Sequence, residues 1–231
     1  MKNVRIPSPG NLVAYFVQGL ILLSVGYSAC IGDWFLAFVG LFAFFLTTVP
    51  YIVSRRGDIC MPWEVNLLIA LSIYLHVAGH ISDFYMVFSP YYDKIAHFVS
   101  SITISVLGFA LVLLMDRYSG LRLTRPMIIG FIVIFTMALG AFWEIYEYLF
   151  DTLFQMNLQH GLDDTMTDLI FDLFGALIIA AVGNFYLRRL TKEEVALLFL
   201  KPGSMKNTAS ARGPDQDDLG RGIEAEFGRK V

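Results

Sequence analysis

Charged residues divide this chain into long apolar runs. Ile6 to Gly32 contains no Asp, Glu, Lys or Arg, and neither do Trp34 to Ser54, Val65 to Ser82, Ile95 to Met115 or Pro126 to Trp143. A helix needs about 20 largely apolar residues to cross roughly 30 Å of hydrocarbon at about 1.5 Å per residue. Each run therefore predicts a transmembrane helix. The sixth run is different, because Asp172 and Arg188 leave only 15 residues between them, about 22 Å of helix. To cross, that helix must begin near Asp168, which puts Asp168 and Asp172 inside the membrane or at its edge. The pattern predicts an all-α polytopic membrane protein. Residues 1–190 form a bundle of six transmembrane helices, with spans at about 11–32, 34–54, 63–82, 94–115, 127–147 and 166–187. The first apolar run is longer than the 7–15 residues of a secretory signal, so it reads as a retained helix.

Composition agrees with this reading. Of 231 residues, 56% are hydrophobic and 16% charged, the net charge is −3 and mean hydropathy is +0.62. Ordinary soluble domains carry about 25% charged residues. These values exclude a disordered chain and a basic nucleic-acid binder, and they make the lipid bilayer the expected partner. The two cysteines cannot form a disulfide framework; Cys30 and Cys60 fall at opposite ends of different helices and read as packing residues. Lys2, Arg5, Arg55, Arg56, Arg117, Arg122, Arg125, Arg188 and Arg189 fall on one side of the six-span topology, and Lys94 alone on the other. The positive-inside rule then places both termini in the cytoplasm. Beyond the last span, residues 191–231 read as a cytoplasmic tail. Thr191-Lys192-Glu193-Glu194 is a capping-box pattern ahead of an apolar run, which predicts a short amphipathic helix on the inner membrane surface, with disorder from Lys201.

The acids are distributed against this orientation. Asp33, Asp83, Asp93, Glu144, Glu147, Asp151, Asp163, Asp164, Asp168 and Asp172 all lie at outer ends or in outer loops, with His76, His80, His97 and His160. Acids contribute little to topology, so this clustering needs another cause. His76, His80 and Asp83 are spaced i, i+4 and i+7. Asp93 and His97 are i, i+4; Glu144 and Glu147 are i, i+3; Asp164, Asp168 and Asp172 are i, i+4 and i+8. Each set lies on one helical face. A charged side chain in lipid costs about 2.5–3.5 kcal/mol on insertion scales, so these faces are expected to turn inward into one polar cavity open to the outside.

Several close carboxylates need protons or a cation. Imidazole with carboxylate suits Zn²⁺, Mn²⁺ or Fe²⁺, and a mostly carboxylate set suits Mg²⁺ or Ca²⁺. His80, Asp83, His97, Asp168 and Asp172 are the candidate metal ligands, and Glu144 and Asp93 the candidate catalytic acid–base groups. Structural readings stand beside these. His160 and Asp151 read as solvated loop residues and Asp33 as a loop residue. Asp163, with Asp164, suits the start of the sixth helix. His76 fits a hydrogen-bonded core imidazole as well as a ligand. Lys94 fits a structural ion pair, Trp143 an interface aromatic, and Gly175-Ala176 a packing notch.

Three stretches carry a family resemblance: Tyr92-Asp93-Lys94-Ile95-Ala96-His97-Phe98; Trp143-Glu144-Ile145-Tyr146-Glu147; and Asp164-Thr165 through Asp168, Asp172 and Gly175-Ala176. In this order and spacing they resemble the YjdF-type bacterial inner-membrane proteins, a family of unknown function. The Asp-Lys-x-x-His-Phe stretch, the later Glu and the final Asp-bearing helix are more distantly similar to VanZ-like proteins. Here Asp172 stands where that group tends to have Asn, so its association with glycopeptide tolerance is not carried over. The resemblance implies a bacterial cytoplasmic membrane and supplies no reaction.

Three readings remain at this stage. One is a metal-dependent enzyme acting on a lipid or envelope precursor at the outer face. Another is a small cation- or proton-coupled transporter, and the third a non-catalytic membrane protein. Four histidines are too few for a histidine-box oxygenase. The outer side lacks the Arg and Lys grip of acid-phosphatase-type lipid phosphatases, and a rhomboid Gly-x-Ser-Gly is absent.

Overall fold

A computed structural model describes residues 9–56, 59–155 and 158–200. The basic residues Lys2 and Arg5 and the expected disorder from Lys201 lie outside them. The helices are α1 (Pro9–Cys30), α2 (Trp34–Arg56), α3 (Trp63–Ile81), α4 (Phe84–Val87), α5 (Tyr91–Ser119), α6 (Arg125–Phe154), α7 (Leu162–Arg189) and α8 (Lys192–Ala196), followed by a 3₁₀ turn at Leu197–Phe199. Six of them (α1, α2, α3, α5, α6 and α7) are long and apolar enough to cross a bilayer. They form an all-α bundle of the expected kind. α7 begins six residues before Asp168, so Asp168 and Asp172 lie well within the spanning helix.

The bundle is ordered around α5, which packs against α7, α6 and α3; α1 packs against α3 and α2. Polarity runs opposite to that of a soluble domain. Phe16, Leu23, Phe38, Ile134 and Phe142 are all more than 60% exposed, whereas Ser101, Ser105 and Thr136 are buried. The Ser105 and Thr136 hydroxyls bond each other at 2.7 Å across α5 and α6. Such pairing satisfies polar groups that have no water to turn to, while the outward apolar surface suits lipid.

Small residues permit close helix approach. A Cβ on Gly175 would lie 2.0 Å from Ser101 Oγ and 3.1 Å from the Ile102 backbone nitrogen, so α7 meets α5 at the expected notch. Gly140 gives α6 the same closeness to α7, where a Cβ would sit 2.2 Å from Asp172 Oδ2.

The expected helix after the last span is present, and its apolar face packs against the bundle. Thr191 and Glu194 form the capping box. Val195 and Ala196 are buried with Phe109, Val112, Leu113 and Ile128, and Phe199 is buried with Val65, Ile69 and Ala110. The backbone nitrogen of Cys60 donates to the Phe199 carbonyl (2.8 Å). Lys192 Nζ reaches Asp116 Oδ2 (2.6 Å) and the Leu123 carbonyl (3.0 Å), and Asp116 also accepts from the Leu123 backbone nitrogen. The segment thus closes the end of the bundle opposite the acidic residues. An amphipathic face can be covered by lipid or by protein, and here α3, α5 and α6 supply the cover.

Candidate functional site

The acidic end is built from the C-terminal end of α3, the N-terminal end of α5, the C-terminal half of α6 and the first half of α7. The antiparallel order of these helices brings residues distant in sequence to one depth. His97, Glu144, Asp168 and Asp172 are each at most 5% exposed, and Asp93 is half-buried.

His97 is at the centre. Its Nδ1 lies 3.4 Å from both Asp172 carboxylate oxygens. Its Nε2 lies 3.6 Å from Glu144 Oε1 and 3.8 Å from Asp93 Oδ1. The two Nε2 separations are too long for direct hydrogen bonds. Among the described residues, neither His97 Nε2 nor Glu144 Oε1 has a hydrogen-bond partner, although both atoms are buried. Ligand atoms of Asp93, His97 and Asp168 lie within 4.8 Å of one another.

Lys94 faces the same cluster from α5. Its ammonium contacts Asp164, meets both Asp168 oxygens at 2.8 and 3.0 Å, and lies 3.5 Å from Asp93. This confirms Lys94 as an ion-pairing residue and changes the view of Asp164. The first turn of α7 does contain Asp163 and Asp164, yet Asp164 is turned to Lys94 and, at 3.4 Å, to His160.

His80 and Asp83 stand apart from the His97 group. They line a cavity of about 150 Å³, together with Tyr85, Asp93, Glu147 and His160. Asp83 is exposed and adopts a left-handed backbone (φ 53°) at the break between α3 and α4. The i, i+4, i+7 spacing puts His80 and Asp83 on one face, but α3 ends at Ile81, so Asp83 leaves that helix. His76, on the same face, is held by the Tyr85 hydroxyl (2.8 Å) and Ser100 Oγ (3.0 Å). Both ring nitrogens are thereby used, as in the core-imidazole reading.

Glu147 has more to do here than its spacing suggested. It is buried, lines the cavity and accepts from Trp143 Nε1 at 2.9 Å. Trp143 packs on His76 with ring centres 4.8 Å apart, so it also forms part of the site wall. Asp151 accepts from the backbone nitrogens of Leu158 and Gln159, both at 2.8 Å, and so shapes the loop before α7. Asp33 accepts from the Leu36 nitrogen (2.9 Å) and caps α2. Tyr85 carried no sequence signal, because nothing local marks a tyrosine as the partner of a histidine nine residues away.

Lipid-facing apolar helices around a buried histidine–carboxylate cluster define a multi-pass membrane protein with a polar site near one end of the bundle. Residues 12–189 match the family model described as "Predicted membrane protein (DUF2238)". The chain belongs to that family, in agreement with the resemblance carried by its motifs. It is also 32% identical over 161 residues to a protein of Thermotoga maritima named "Uncharacterized protein", an overlap of 65% of this chain and 81% of that one. No solved structure matches.

Proposed function

We propose that this protein is a metal-dependent membrane enzyme whose site opens at the outer face of the bacterial inner membrane, with both termini cytoplasmic and a lipid or envelope precursor as substrate. One observation carries the reading: His97 Nε2 and Glu144 Oε1 face each other 3.6 Å apart, buried and without hydrogen-bond partners. A buried polar atom left unpaired costs about 1–3 kcal/mol. Ligand atoms of Asp93, His97 and Asp168 lie within 4.8 Å of one another around the same space, so one cation there would meet all three and be faced by Glu144.

Asp93, His97 and Asp168 are the residues that would hold a divalent ion. The imidazole favours Zn²⁺ or Mn²⁺ over Mg²⁺. An ion held there supplies an acidified water and a Lewis acid. Asp172 occupies the far ring nitrogen of His97, where a carboxylate fixes the orientation of a ligating imidazole. The Glu144 carboxylate faces the same space and serves as general base or acid. Lys94 offsets the charge of Asp164 and Asp168. The cavity beneath His80, Asp83 and His160 is the approach for the substrate's polar group.

The test is elemental analysis and calorimetric titration of detergent-purified protein with Zn²⁺, Mn²⁺ and Mg²⁺. One equivalent of Zn²⁺ or Mn²⁺ is expected, strongly weakened in His97→Ala and Asp93→Asn and retained in Asp83→Asn. Saturating metal should raise the melting temperature, since a ligand at 100 times its Kd stabilises by about 2.7 kcal/mol. Protein that neither contains nor binds these ions, or His97→Ala binding as the wild type does, overturns the proposal.

A further inference from the structure

The end of the bundle opposite the acidic site carries a second lined depression. Arg125 is the first residue of α6 and Arg188 the penultimate residue of α7. Together with Pro126, Ile129 and Asn184 they line a groove of about 430 Å³. Both arginines are exposed, and neither forms an ion pair with a described carboxylate. Two other charged groups at this end are engaged elsewhere. Asp116, the buried acid at this end, is held by Lys192 and the Leu123 backbone, and Arg189 lies over the Phe185 ring at 4.2 Å.

The geometry points to a binding site for the phosphate headgroup of an anionic phospholipid. The lining is amphipathic in the sense such a ligand requires. Pro126 and Ile129 form an apolar wall, while two guanidinium groups and an amide offer donors. Guanidinium forks match phosphate oxygens in pairs. Both arginines sit at the ends of membrane-spanning helices, the depth at which a lipid phosphate lies. A basic groove between helix ends is a known physical setting for anionic headgroups.

The test uses delipidated full-length protein in neutral detergent, titrated with phosphatidylglycerol or phosphatidylcholine of identical acyl chains and read by native mass spectrometry. Phosphatidylglycerol should bind preferentially. Arg125→Gln with Arg188→Gln should weaken it roughly thirtyfold, about fivefold for each arginine. Arg55→Gln should leave it unchanged: Arg55 lies at the same end of the bundle, over the Tyr51 ring on α2, outside the groove. An unaltered melting temperature in neutral detergent identifies the double variant as folded. Equal binding of the two lipids overturns the inference. So does an equal loss in Arg55→Gln, or inorganic phosphate at millimolar concentration binding as well as the lipid.

Discussion

Lys94 shows most clearly how a single residue supports the acidic end. It is the one cation the sequence places there, and three aspartates face it. Removing one partner of a buried pair costs about 3–5 kcal/mol, because the charge left behind has neither water nor a counter-ion. Lys94→Met should therefore lower thermal stability in detergent sharply. Lys94→Met with Asp168→Asn should recover part of that loss, and a double-mutant cycle measures the coupling. Additive effects would mean that the pair seen here contributes no net interaction. The glycines give a second contrast at this scale. Gly175→Ala drives a methyl into Ser101 and toward the Ile102 backbone, whereas a Cβ on Gly19 meets nothing within 4 Å. Gly175→Ala should cost about 1–3 kcal/mol, and Gly19→Ala should be neutral or stabilising, as melting temperatures will show.

Among the elements, α8 is where local pattern and tertiary outcome separate. The capping box was legible at Thr191 and Glu194, since it depends on four consecutive residues. That Val195, Ala196 and Phe199 would be buried under α5 and α3 was not legible, because an apolar face does not specify what covers it. Thr191→Ala should cost about 1 kcal/mol and raise the hydrogen-exchange rate of residues 192–199. The Glu194 carboxylate accepts from the Thr191 nitrogen (2.8 Å) and hydroxyl (3.0 Å), and these bonds hold it below the usual glutamate range. A group depressed in the folded state contributes fully above its unfolded value, about pH 4.3, and loses its contribution as pH falls through the folded value. Protection of α8 should therefore decline on acidification below about pH 4.3. Thr191→Ala should flatten that decline, and an unchanged pH profile in the variant would contradict the role given to this cap.

Over the whole molecule, the separation of charge makes orientation testable. Cys30 ends α1 at the acidic end, and Cys60 lies between α2 and α3 at the basic end. If the acidic end faces outward, an impermeant maleimide applied to intact spheroplasts labels Cys30 and spares Cys60 until the membrane is permeabilised. Labelling of Cys60 alone would invert the topology and place the site inside.

The sequence alone determined the number of spans, the crowding of acids and imidazoles at one end, and the family. All three follow from local quantities: the length of an apolar run, the cost of charge in lipid, and the spacing of motif residues along a helix. It also predicted that Asp168 and Asp172 lie inside the membrane or at its edge, because only 15 residues separate Asp172 from Arg188. Only the tertiary structure decided which polar groups meet. Helical spacing assigns a face, but the rotation of each helix and the place where it stops decide what that face touches. Hence His97, Glu144, Asp168 and Asp172 converge, while Asp83, past the end of α3, stays at the rim with His80. Glu147, Asp164 and Trp143 acquired their places in the site from partners on other helices, and contacts of that kind leave no trace in the residues beside them.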